Sequence, residues 1–137
     1  MNNLKTILKI WSEAGERPYE VIWEEGFHDE FMDTLASSFI RTHKPIYRGT
    51  VRHKDLNVGD GFVYTYPTSW SGNIKVATNF ISPGDIIFSI EPSPLVALPN
   101  PYNTYGEEEF ILYPTSFVVS SISTYHGDYK LVHLKPI

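Results

Sequence analysis

Apolar residues between Leu4 and Trp11 recur every three or four positions, which is the spacing of one face of a helix. Gly15 follows this stretch and provides a natural stop, because glycine readily adopts the backbone conformation that ends a helix. The pattern therefore predicts a helix over residues 3–14.

A second apolar stripe at helical spacing extends over residues 18–42. Pro18 can open a helix, Gly26 can interrupt it, and Pro45 disfavours helical backbone just before it. We therefore expect one or two helices in this segment, ending before Pro45.

From residue 45 onward the apolar spacing changes to alternation, which is typical of strands. A short helix is predicted over residues 73–80, and residues 92–106, with four prolines, are predicted to form an exposed irregular loop. Helices followed by a run of strands indicate an α+β fold in one domain, 1–137, with a helical part at 1–44 and a β-rich core at 45–137. The predicted strands are 45–51, 62–66, 86–90, 107–113, 116–123 and 129–134, with turns at 58–61 and 126–128.

Composition narrows the possible functions. The chain has 137 residues, a net charge of −5 and no cysteine, so disulfides and a thiolate nucleophile are excluded. Without a basic cluster, nucleic-acid binding is not expected as the main activity. The five histidines lack metal-ligand spacing, so no metal is expected. Without a signal peptide or an apolar stretch of about 20 residues, a cytoplasmic, non-membrane protein is expected.

Three polar groups stand at predicted strand edges. The glutamate run Glu107-Glu108-Glu109 precedes an apolar segment, and strand alternation puts its first and third carboxylates on one face. Carboxylates at the end of a core strand are costly to desolvate without a partner or a task. Upstream lie an isolated arginine, Arg48, and the hydroxyl cluster Thr68-Ser69-Trp70-Ser71. Arginine, serine and glutamate in this order indicate an NAD-binding cleft.

These elements resemble the arginine-serine-glutamate class of mono-ADP-ribosyltransferases, over roughly residues 45–120. Tyr47-Arg48-Gly49 is similar to the family's aromatic-Arg-Gly strand, and Ser69-Trp70-Ser71 to its Ser-Thr-Ser motif with the middle residue replaced. Glu107-Glu108-Glu109 is similar to its Glu-x-Glu motif. The resemblance implies helices packed on a split β-sandwich, with the NAD cleft between its sheets.

The resemblance also implies roles for individual residues. Glu109 would stabilise the oxocarbenium-like state formed when the bond to nicotinamide breaks, and Ser69 would orient it. Arg48 would bind the pyrophosphate with its planar guanidinium. Glu107 would take a proton from the incoming nucleophile or align it, and in the family a glutamate at this position goes with arginine acceptors. The implied catalytic residues are Arg48, Ser69, Glu107 and Glu109.

Further positions complete the implied site. Phe80 matches an aromatic residue that packs on the nicotinamide, and taking Ser69 as the key serine keeps this match. The loop before the glutamates would recognise the acceptor through Tyr102 and Tyr105, together with Glu107. The basic residue that often follows the aromatic has no match at 81–84. The implied NAD-binding residues are Arg48, Gly49, Ser69, Ser71, Phe80 and Glu109.

Other interpretations of the same residues stay open. Taken alone, Arg48 is a surface or ion-paired residue, Phe80 is a core residue, and Ser71 caps a helix that begins near residue 73. Two further functions also fit the cleft: an NAD glycohydrolase that passes ADP-ribose to water, and a catalytically silent partner-binding protein. For the leading function we expect a monomer that acts on a host protein, either encoded by a phage or mobile element or delivered as an effector.

Overall fold

The computed structural model describes residues 3–15, 17–51, 56–103 and 108–137. Helices come first and strands follow, as the sequence predicts, so the α+β class is confirmed. The helices are α1 (Leu4–Glu13), α2 (Pro18–Glu24), α3 (His28–Ala36) and α4 (Ile74–Thr78). The strands are β1 (Phe39–Arg41), β2 (Ile46–Thr50), β3 (Gly61–Tyr64), β4 (Thr68–Ser71), β5 (Ile86–Ile90), β6 (Pro94–Asn100), β7 (Glu109–Leu112), β8 (Thr115–Tyr125) and β9 (Tyr129–Pro136).

The predicted helix boundaries follow from proline and glycine. Pro18 is the first residue of α2, where its missing N–H costs no hydrogen bond. Gly15 and Gly26 have φ of +66° and +81° just after α1 and α2, a conformation that other residues adopt at a cost. The predicted break at Gly26 is therefore confirmed.

The prediction of helix up to residue 42 was wrong at its end, because residues 39–41 form β1. The hydroxyls of Ser37 and Ser38 donate to the carbonyls of Asp33 and Thr34, at 3.0 and 2.7 Å. Such bonds from serine compete with continued helical backbone. The chain then pairs antiparallel with β6.

The prediction of an irregular loop over 92–106 was also wrong, because residues 94–100 form β6 between β1 and β7. Pro94 is its first residue, where proline is tolerated. The N–H of Ala97 donates to Ser38 on the β1 side, and the nitrogen of Pro99 points to that same side past the end of β1. The missing N–H of Pro99 therefore removes no bond to β1.

The strands form a sheet in the order β1-β6-β7-β4-β2-β5-β9-β8-β3. Most neighbours pair over several residues, but β4 and β2 are joined only at Tyr47 and Ser71. This narrow junction divides the sheet into a first half-sheet (β1-β6-β7-β4) and a second half-sheet (β2-β5-β9-β8-β3). Side chains of both half-sheets pack together in one core cluster.

Side-chain alternation divides the core into two clusters. On the first half-sheet, Ala97 and Leu112 face the second half-sheet and pack with Ile46, Phe88 and other strand residues. Their neighbours one residue along face the other way, toward the helices. That helical cluster contains Ile7, Leu8, Trp11, Ile22, Phe31, Leu35, Leu98 and Ile111. The first half-sheet is thus a middle layer between helices and second half-sheet.

Gly49 lies where α4 crosses β2. A Cβ atom built on Gly49 would stand 2.2 Å from the carbonyl oxygen of Ala77, which is backbone and cannot rotate away. We therefore expect Gly49→Ala to lower the free energy of unfolding by about 1–3 kcal/mol, the usual cost of overpacking. Urea unfolding monitored by fluorescence measures this change.

The matched control is Gly61→Ala on β3, where no atom lies within 4 Å of a built Cβ. The control is expected to change stability by less than about 0.5 kcal/mol. Equal unfolding midpoints for the two variants would contradict the close approach of α4 to β2.

Candidate active site

A cleft of about 1330 Å³ opens at the junction of the two half-sheets. Its wall combines residues of α1, β2 and β4, the segment around α4, and the first residue of β7. The volume exceeds the roughly 300–1,000 Å³ of ordinary small-molecule pockets, so the cleft can hold an extended ligand such as a dinucleotide. Six of the sequence-predicted site residues line it: Arg48, Gly49, Ser69, Ser71, Phe80 and Glu109.

Arg48 crosses the junction from β2 to β4. Its Nη1 donates to the backbone carbonyl of Ser69 at 3.1 Å, and its Nε donates to the hydroxyl of Tyr64 at 3.2 Å. The guanidinium carbon also lies 5.2 Å from the centre of the Tyr64 ring, within cation–π range. These contacts fix the guanidinium plane at the cleft wall.

Tyr64 is a site residue that the sequence analysis missed. It is buried between the half-sheets, and its ring meets those of Phe62 and Phe88 edge-on. Burial raises the pKa of the Tyr64 hydroxyl, although the nearby Arg48 guanidinium acts to lower it. The hydroxyl is therefore neutral near pH 7 and accepts the Arg48 hydrogen bond without placing a negative charge in the cleft.

The hydroxyl cluster of residues 68–71 is a strand, β4, rather than the helix-capping turn considered from the sequence. Trp70, which replaces the middle residue of the motif, is 1% exposed and packs in the core between the half-sheets. Its Nε1 donates to Thr68 Oγ1 at 2.8 Å. Strand alternation then turns Ser69 to the opposite face, toward the helices and the cleft.

Ser69 pairs with Ile111 of β7, which belongs to the helical cluster, so both residues face α1. The indole Nε1 of Trp11 donates to Ser69 Oγ at 2.8 Å. Because indole is only a donor, the serine oxygen must accept this bond, and its own hydrogen is available for another acceptor. We infer that this acceptor is the carboxylate of Glu109, which stands on the same face and whose pKa the Ser69 hydroxyl acts to lower.

Glu109 begins β7 and stands on the same face as Ser69, two residues before Ile111. Burial raises the pKa of its carboxyl above the usual range, while hydrogen bonds from Asn100 and Ser69 act to lower it. The Asn100 bond, from Nδ2 to Glu109 Oε1, measures 2.6 Å. A desolvated carboxylate held by two side-chain donors is a strong local source of negative potential.

Trp11 and Asn100 were also missed as site residues, for different reasons. Trp11 falls on the apolar stripe of α1 and is indistinguishable there from an ordinary core residue. Asn100 falls in the proline-rich segment predicted as a loop. The pairing of Asn100 with Glu109 depends on the β6–β7 register, which no local pattern reveals.

Two remaining motif residues line the cleft beside α4. Ser71 does not cap this helix; its Oγ accepts the N–H of Asn73 at 3.0 Å, and Asn73 is itself the cap, accepting from Lys75 N. Phe80 follows the helix with 56% of its surface exposed, so the ring is accessible to a ligand.

The acceptor residues inferred from the sequence are only partly described. Glu107 and Tyr105 lie outside the described residues. Tyr102 is half-buried against the helical cluster, with Lys9 Nζ 5.5 Å from its ring centre. Glu108 lies 3.7 Å from Lys44 Nζ.

The described residues form neither a cluster of metal ligands nor a membrane-spanning helix. Within residues 3–15, 17–51, 56–103 and 108–137, acidic and histidine side chains do not gather in threes as a metal site requires. In the same ranges, the helices are too short or too polar to span a membrane.

No protein-family model matches the sequence, and no curated protein matches it. Solved structures do match. The ADP-ribosyltransferase Vis of Vibrio splendidus, with the inhibitor M6, has a TM-score of 0.69 at 17% identity, covering 100% of this chain and 73% of Vis. The catalytic domain of VahC from Aeromonas hydrophila has a TM-score of 0.62 at 13% identity, and the match covers 100% of this chain and 99% of that domain. The chain has the ADP-ribosyltransferase fold.

Plx2a, an ADP-ribosyltransferase toxin from Paenibacillus larvae, also shares this fold, with a TM-score of 0.61 at 12% identity, covering 100% of this chain and 87% of Plx2a. The similarity confirms the predicted fold, in which helices pack on a split β-sandwich of the ADP-ribosyltransferase type. Identities this low concern the fold alone.

The raised pKa of Glu109 predicts a pH-dependent stability. A carboxyl that binds its proton more tightly when folded loses stability as pH rises through the window between its unfolded and folded pKa values. Glu109→Gln removes the ionisable group and with it this loss of stability at higher pH. We expect the variant to be more stable than wild type near pH 7.5, with the gain vanishing below the unfolded glutamate pKa of about 4.3.

Thermal unfolding near pH 7.5 and below about pH 4.3 measures this gain in stability. The control is Glu24→Gln, at an exposed glutamate of α2. The control is expected to show little pH-dependent difference. If Glu109→Gln were equally destabilised at both pH values, Glu109 would not carry a strained charge.

Proposed function

We propose that this protein is a mono-ADP-ribosyltransferase that moves ADP-ribose from NAD to a protein acceptor, and that the acceptor is an arginine. The observation that carries the proposal is the carboxylate of Glu109, half-buried in the cleft wall on the same face as Ser69 and bonded by Asn100, across the half-sheet junction from the guanidinium of Arg48. The order, faces and spacing of these groups suit cleavage of a dinucleotide.

The bond between nicotinamide and ribose breaks through a state with positive charge on the sugar. A fixed carboxylate stabilises such a charge most effectively where water is excluded, because fewer solvent dipoles screen it. Glu109 is held by donors on both sides and cannot turn away as the charge develops. Its role is electrostatic stabilisation together with a hydrogen bond to a ribose hydroxyl.

The pyrophosphate of NAD needs a cation that does not lose its charge. Arg48 meets this need, because a guanidinium stays protonated and can bind two phosphate oxygens at once. Its contacts with Tyr64 and Ser69 orient the guanidinium before the ligand arrives. Phe80 offers an exposed ring beside the same wall, suited to the flat nicotinamide.

Complexes of proteins with this fold support NAD and a guanidinium acceptor. Exoenzyme S from Pseudomonas aeruginosa has been solved with the NAD analogue carba-NAD, and Vis has been solved with agmatine. Agmatine carries a guanidinium group, as arginine does. In this chain Glu107 stands two positions before Glu109, the spacing that places both carboxylates on one face of a strand.

One assay separates the proposed transfer from NAD hydrolysis and from silent partner binding. Purified protein is incubated with labelled NAD and candidate cell lysates, and both labelled protein and free ADP-ribose are measured. Transfer is expected to give labelled protein. Free ADP-ribose alone would indicate a glycohydrolase, and neither product, with NAD left intact, would indicate a silent protein.

Arg48→Lys is expected to weaken NAD binding by about 1–3 kcal/mol, because lysine keeps the charge but loses the planar fork. Calorimetric titration with NAD measures the change. Arg41→Lys on β1, outside the cleft wall, is the matched control and is expected to bind like wild type. Unchanged binding by Arg48→Lys would remove the arginine from the NAD site.

Glu107→Gln and Glu109→Gln are expected to differ in product. Glu109 acts on the bond-breaking step common to transfer and hydrolysis, so Glu109→Gln should lower both by about a hundredfold or more. Glu107 acts on the incoming guanidinium, so Glu107→Gln should lose most protein labelling and retain NAD hydrolysis. Normal labelling by Glu107→Gln would argue against an arginine acceptor.

A further inference from the structure

Asn100 has a polar side chain that is almost completely buried. It is the last residue of β6, it is 2% exposed, and it pairs with Glu109 on the neighbouring strand. Its face of the half-sheet is also that of Leu98 and Ile111, which pack against the helices. A buried amide is costly unless its hydrogen bonds are made, so its partners show what the position is built for.

The partners of Asn100 fix the orientation of its amide. Its Oδ1 accepts the backbone N–H of Tyr102 at 3.0 Å, and only an oxygen can do so. Its Nδ2 donates one hydrogen to Ser12 Oγ at 2.9 Å and the other to Glu109 Oε1 at 2.6 Å. Rotating the amide by half a turn would set an oxygen against the carboxylate and lose all three bonds.

Helix α1 supports this arrangement through two adjacent residues. The hydroxyl of Ser12 donates to the Leu8 carbonyl at 3.0 Å, so its oxygen is left to accept from Asn100. Trp11 donates to Ser69 Oγ, which leaves the serine hydrogen for Glu109. One turn of α1 therefore sets the direction of both side-chain donors that hold Glu109.

We propose that Asn100 is a positioning residue for Glu109: braced by Ser12 of α1 and by Tyr102 N, it keeps the carboxylate ionised and aimed into the cleft. The catalytic consequence rests on the proposed transferase function, whereas the effect on Glu109 itself does not. Asn100 touches no reacting atom in this scheme and acts only through the carboxylate.

Asn100→Leu removes the amide and keeps the number and branching of the side-chain heavy atoms. Glu109 then keeps its burial with one donor fewer, so its carboxyl should protonate at higher pH than in wild type. The other ionisable groups in the described part of the cleft wall are unchanged by this substitution. They are Arg17, Tyr19, Glu20, Tyr47, Arg48 and Tyr66.

The experiment has a readout that needs no activity. Carbon-detected NMR of ligand-free protein with labelled glutamate follows the titration of the Glu109 carboxyl in wild type and in Asn100→Leu. We expect the midpoint to move to higher pH in the variant. Asn100→Asp is a second variant that keeps the shape and the oxygen for Tyr102 N, and its added carboxylate should also raise the midpoint.

Activity supplies the second readout. In Asn100→Leu we expect kcat for NAD cleavage to fall about tenfold to a hundredfold, with KM for NAD changed less than about twofold. The acid limb of the pH–rate profile should move to higher pH. The control is Thr42→Val, which removes an equally buried hydroxyl that bonds Ser93 far from the cleft. Thr42→Val should lower the stability of the protein without changing the Glu109 titration midpoint or the kinetics of NAD cleavage.

The outcomes separate the two proposals. If wild type neither transfers nor hydrolyses NAD while Asn100→Leu still moves the Glu109 midpoint, the proposed function fails and the positioning role stands. Should Asn100→Leu fail to fold, Asn100→Asp decides through the same titration. A folded Asn100 variant with an unmoved Glu109 midpoint and normal kcat overturns the positioning role.

Discussion

The narrow junction between β2 and β4 is the constraint on which the rest of the molecule depends. Within the described residues, backbone pairing joins the half-sheets only at Tyr47 and Ser71, and the side chain of Arg48 adds a bond to the carbonyl of Ser69. If the strands paired along their whole length, the sheet would be closed and no cleft would open there. The arginine proposed to bind pyrophosphate is thus also a structural link across the opening.

Alternation on the first half-sheet explains why the site has two different walls. Residues that face the second half-sheet, such as Trp70 and Leu112, are apolar and fill the inner core. Residues one position along face the helices, and this row changes from apolar Leu98 and Ile111 to polar Asn100 and Glu109 as it reaches the cleft. This change marks where the helical cluster ends and the polar wall of the cleft begins.

The sequence analysis succeeded where the information is local. Gly26 ends a helix because of its own backbone, and the glutamate run before an apolar segment predicted a strand over 107–113, where the structure has β7 at Glu109–Leu112. It failed where the information is in pairing. Pro99 argues locally against a strand, and only the position of β1 shows why it is tolerated. Asn100 is likewise unremarkable until the register sets it beside Glu109.

The hydrogen bonds from α1 also bear on how the protein folds. Trp11 and Ser69 are 58 positions apart in the chain, and Ser12 and Asn100 are 88 apart. Contacts this distant require large loops to close, which costs entropy that local helices and hairpins do not pay. The half-sheet register and the docking of α1 must both be complete before these bonds can form. The carboxylate of Glu109 therefore acquires its final setting late, and a partly folded chain has the glutamate but not the neighbours that orient it.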